Sequence, residues 1–108
     1  MQKPAEILNV AHDLSMEFGE NFLQPVNSRL QEKYPHLQEP ELSEYNMICK
    51  AVNNAGNDYV YDNITTENGS PRFPDYEKYK TYMLKLYSWI SEENLSRLFS
   101  QSCYFAMK

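Results

Sequence analysis

A chain of 108 residues with 42% apolar and 23% charged side chains is long enough to bury one core and too apolar to stay disordered. Its net charge of −5 gives it no electrostatic reason to seek phosphate backbones, so nucleic acid is not expected as a partner. No apolar run approaches the ~18 residues of a membrane span. Lys3, Glu6, Asp13, Glu17 and Glu20 break up the start of the chain, where a secretory signal needs an apolar stretch. The expectation is a soluble, cytoplasmic protein with no membrane contact, folded as a single domain over 1–108.

After Pro4, a first-turn residue by preference, Ile7, Leu8, Ala11, Leu14, Phe18 and Phe22 recur at helical spacing. Pro25 interrupts the helix, yet Val26, Leu30 and Tyr34 continue the stripe nearly in phase. Two arrangements fit residues 4–34: one long helix kinked near Pro25, or two helices meeting there. The continuous phase favours the kinked helix, with Gly19 easing the bend. Pro35 stops it at Tyr34, because a proline turns its predecessor away from helical angles.

Pro40–Ile64 carries apolar or small residues at Leu42, Tyr45, Ile48, Cys49, Val52, Ala55, Gly56, Tyr59, Val60 and Ile64, which is one face of a helix. Glu39, Glu41 and Glu44 lie at its start, where the helix dipole favours negative charge. The residues Thr65–Pro74 hold Asn68-Gly69 and two prolines, and read as a loop. Helical spacing returns at Tyr76, Tyr79, Met83, Leu86, Tyr87 and Ile90. Ser91 followed by Glu92 and Glu93 reads as an N-cap with first-turn acids. The last helix then buries Leu95, Leu98, Phe99, Ser102, Phe105 and Ala106. No stretch alternates long enough to make a strand. The fold expected is all-α, a compact four-helix bundle.

The sequence offers little catalytic chemistry. Three isolated glycines, Gly19, Gly56 and Gly69, cannot make a phosphate-cradling loop. The two histidines, His12 and His36, lack the Glu-x-x-His spacing of a bundle metal site. Cys49 sits on the buried stripe, where its pKa rises, and Cys103 borders another. No cofactor and no metal are expected, and catalysis is not favoured. The three Asn-x-Ser/Thr sequences, at Asn63, Asn68 and Asn94, are read as chance matches in the absence of a secretory signal.

Two features point toward binding. The first is the set of nine tyrosines, of which Tyr76, Tyr79, Tyr82 and Tyr87 share one helix with Trp89 following. So many rings cannot all face one core, and tyrosine and tryptophan dominate binding hot spots. The second is charge: residues 1–35, 36–69 and 70–108 carry −2, −5 and +2. The leading expectation is a non-catalytic interaction protein of regulatory, adaptor or toxin-neutralising type. It would meet a protein partner or a second copy through Tyr76, Tyr79, Tyr82 and Trp89 on the third predicted helix, and Glu41 and Glu44 on the second. The rival is a ligand-binding or enzymatic bundle with a polar pocket of Asn53, Asn57, Asp58 and Tyr61 beside the 65–74 loop.

Overall fold

The computed structural model describes residues 3–21 and 24–107. Five α-helices and one two-stranded sheet make up the regular structure among them: α1 (Ala5–Ser15), α2 (Asn27–Lys33), α3 (Glu39–Asn63), β1 (Thr65–Glu67), β2 (Ser70–Arg72), α4 (Tyr76–Leu86) and α5 (Glu92–Ala106), with a 3₁₀ turn at Gly19–Asn21. The chain divides into two compact units, Met1–Ala51 and Val52–Lys108, and the division falls inside α3. No helix among the described residues is long and apolar enough to cross a membrane.

The first helix is shorter than its stripe. α1 ends at Ser15, where Met16 and Glu17 donate to Asp13 and Leu14 in tightened i→i−3 bonds. Gly19 then takes φ +85°, outside α-helical angles, at the start of the 3₁₀ turn, and among the described residues the next α-helix is α2 from Asn27. The expected kinked helix is thus corrected to two helices, α1 and α2, and the described residues hold five α-helices where four were expected. Phe22, assigned by spacing to the first stripe, lies outside the described residues, as does Leu23, so the centre of the expected kink is not described. Phe18, also assigned to that stripe, is 54% exposed.

Side chains hold the connection between α1 and α2. The Arg29 guanidinium donates to the Leu14 carbonyl (2.8 Å), to Glu17 Oε1 (2.6 Å), and to the Gln24 and Pro25 carbonyls (both 3.2 Å). Asn46 of α3 accepts from the Val26 N–H (3.1 Å), satisfying a donor at the start of α2. Ile7, Leu8, Ala11, Leu14, Val26, Leu30, Leu37, Leu42, Tyr45 and Cys49 are the buried apolar positions of this unit, together with Met16. Each fully buried Leu or Val contributes ~1.5–3 kcal/mol. Glu41 reaches back to accept from the Gln38 N–H (3.2 Å), half of a capping box that fixes where α3 begins.

In the second unit the expected loop is in part a hairpin. β1 and β2 pair antiparallel, Glu67 opposite Ser70, around Asn68 (φ +54°) and Gly69 (φ +81°), the backbone of a two-residue I′ turn. All six strand residues are exposed, so turn chemistry and the Arg72–Glu67 ion pair (2.7 Å) make this hairpin rather than burial. α4 stops at Leu86, four residues before Ile90. Tyr87 leaves helical angles, and a turn at Ser88–Trp89 brings Ile90 back into the interior. Ser91 caps α5 by accepting from the Asn94 N–H, as its position in the sequence implies.

Candidate partner-binding site

α4 meets its surroundings through Tyr79, which is fully buried. Its ring lies edge-on to Phe99 at 4.9 Å and to Tyr59 at 5.7 Å, and stacks near Tyr76 at 6.3 Å. Room for its hydroxyl exists because residue 56 has no side chain: a Cβ there would stand 2.6 Å from the Tyr79 oxygen. That hydroxyl has no hydrogen-bond partner among the described residues, and burial raises its pKa, which the nearby Ser102 only partly offsets. Ser102 itself donates to Asn57 Oδ1 at 2.7 Å.

The four aromatic residues singled out for partner contact are placed differently from one another. Tyr79 belongs to the interior, fully buried beside Met83 on one face of the helix. Tyr76 is half-buried; its hydroxyl donates to Glu92 Oε1 at 3.1 Å, and burial, reinforced by that bond, pushes its pKa up to about 12. Trp89 is half-buried in the turn after α4, edge-on to Tyr87 at 6.3 Å. Tyr82 alone faces outward, 42% exposed, its inner edge against Tyr59 at 4.7 Å.

Leu86, which the spacing assigned to the core stripe, is instead 52% exposed one turn beyond Tyr82. Lys78 and Lys85 share that side of α4, since positions 78, 82, 85 and 86 fall within about 100° of arc. Neither lysine forms an ion pair among the described residues, whereas Lys80, on the inner side, pairs with Glu92 at 2.8 Å. That hydrogen bond raises the Lys80 pKa and lowers that of Glu92. The outer strip of α4 is thus an aromatic and a leucine flanked by two uncommitted cations. Sequence reasoning missed Leu86, Lys78 and Lys85. The signal was a common arc with Tyr82, which adjoins the face of Tyr79 and Met83.

Glu41 and Glu44 belong to the other unit and are already engaged. Glu41 holds the capping bond, and Glu44 pairs with Lys3 at 3.1 Å, while the Lys3 ammonium also stands 4.8 Å over the Tyr45 ring. The four polar residues of the rival pocket diverge. Asn57 turns inward to Ser102 and Asn53 is half-buried, whereas Asp58 is exposed and Tyr61 is 71% exposed.

Burial holds the Cys49 thiol up to about 12 despite the opposing Ser15 hydroxyl, and it also raises the pKa of half-buried Cys103. His12 is fully buried in α1, and His36 is exposed, edge-on to Tyr34 at 6.2 Å. Among the described residues no three His, Cys, Asp or Glu side chains are grouped to hold a metal ion. No protein-family model matches the chain, and no curated protein or solved structure is significantly similar to it.

Proposed function

We propose that the chain is a small helical-bundle protein that acts by binding another protein, without catalysis, as a regulatory, adaptor or toxin-neutralising module. The outer strip of α4 is its contact surface. The observation that carries this reading is the exposure of Tyr82 and Leu86 one turn apart, beside the face on which α4 buries Tyr79 and Met83. A tyrosine brings large contact area at small entropic cost, and here the ring is already oriented by Tyr59. Lys78 and Lys85 supply a charged rim around the apolar centre, the usual anatomy of an interface. Cys49 lends the non-catalytic reading support, since a thiol whose pKa burial raises to about 12 is not a nucleophile at neutral pH.

The test is site-specific photo-crosslinking in the native cell, with a benzophenone amino acid at position 82 and, as control, at exposed Glu32. The reading expects one discrete protein adduct from position 82, abolished by Leu86→Glu and absent from position 32. Equal labelling from both positions, or none from 82, overturns it.

A further inference from the structure

Resting on that reading, the geometry points to the partner: we infer that the basic aromatic strip of α4 docks against the acidic outer side of α3 in a second copy of the chain. α3 meets α4 through Gly56 and Tyr59. About half a turn or less away from that contact, its other side carries Asp58, Tyr61 and Asp62, all exposed, with Tyr61 at 71%. Neither aspartate forms an ion pair among the described residues.

The two strips are mirror images in chemistry. On α4 two cations, Lys78 and Lys85, flank Tyr82 and Leu86; on α3 two anions, Asp58 and Asp62, flank Tyr61. Within one copy no ion pair joins them among the described residues, although Tyr82 itself rests against Tyr59 of α3. A second copy can join them, and the exchange is reciprocal: each α4 meets the other copy's α3, so a twofold axis closes the pair and doubles the contact. Reciprocity matters for size. A stable interface needs about 800 Å² from each partner, more than one helical strip covers. The dimer is therefore expected to be weak, forming in the micromolar to millimolar range. It is also salt-sensitive, since its ion pairs are exposed and the Debye length falls to about 3 Å at 1 M salt.

The experiment is sedimentation equilibrium on the purified full chain up to about 1 mM, at low and at high salt, with circular dichroism recorded on every variant. The wild-type chain should dimerise at low salt and dissociate by about tenfold in Kd or more in 1 M salt. Lys78→Glu with Lys85→Glu should abolish the dimer, Asp58→Lys with Asp62→Lys should do the same, and all four changes together should restore it. A wild-type monomer throughout overturns the second copy as partner. In that case a crosslink from position 82 to a different protein leaves the α4 reading standing, and no crosslink fells both. A dimer indifferent to the reversals, or one not restored by the quadruple exchange with helicity intact, also overturns the inference.

Discussion

Gly56 and Tyr79 share one volume: a Cβ built on Gly56 would stand 2.6 Å from the Tyr79 hydroxyl oxygen and 2.9 Å from Leu98 Cδ2. A glycine in the middle of a 25-residue helix costs helix propensity, and here the cost is returned as space for a tyrosine from α4. Gly56→Ala should therefore destabilise the fold by about 1–3 kcal/mol through overpacking, outweighing the ~1 kcal/mol that alanine gains in a helix. Tyr79→Phe in the same background should recover part of the loss. Alone, Tyr79→Phe should cost nothing or stabilise slightly, since the lost hydroxyl has no hydrogen-bond partner among the described residues. Urea denaturation of the three variants measures all of this. A Gly56→Ala chain as stable as the parent would show that the two helices simply move apart.

Arg29 ties together the connection between α1 and α2, with four oxygens around one guanidinium. Arg29→Lys should cost about 1–3 kcal/mol, because a single ammonium cannot reach carbonyls that a planar fork bridges. Glu17→Gln should cost less, under about 1 kcal/mol, because that partner is partly solvated. Chemical denaturation gives both values, and equal losses would mean that charge rather than geometry holds the connection.

The two thiols should differ in chemistry. Iodoacetamide at about pH 8 should modify half-buried Cys103 while Cys49 reacts only as the protein unfolds. Cys49 holds its proton more tightly folded than unfolded, since its pKa moves from 9.0 to about 12. Its contribution to stability is thus complete below about pH 9 and is lost as pH rises toward about 12. Tyr76 adds the same sign over the range from 10.0 to about 12. Stability should fall with alkaline pH, and less steeply in Cys49→Ala. An unchanged slope would place the loss at the tyrosines alone.

Much of α3, α4 and α5 was legible because each buries one continuous face: Leu42, Tyr45, Cys49, Val52 and Val60 are all buried where spacing put them. The Ser91 cap was legible for the same local reason. Spacing failed where phase persisted beyond the end of α1 at Ser15. Val26 and Leu30 stay in register with α1, but Gly19 at φ +85° and Pro25 deny the backbone a helix between them. The hairpin was missed because its six residues are exposed and show no alternation; only Asn68-Gly69 marked it. At the site, the aromatic count drew attention to Tyr79, whereas the exposed ring and leucine of α4 are Tyr82 and Leu86. Leu86 fitted the core stripe by arithmetic and lost its place because α4 ends there, leaving its side chain outside.

The most direct test of a binding role for the α4 strip is native mass spectrometry of the untagged protein, purified gently from its own source. It should be paired with the same measurement on Tyr82→Ala/Leu86→Ala. The account predicts a species heavier than 12.8 kDa for the wild-type chain, carrying a second copy or another protein. It predicts the bare 12.8 kDa mass for the double variant, with helical circular dichroism unchanged. A bare 12.8 kDa wild-type chain, or a heavier complex that survives loss of both side chains, would contradict it.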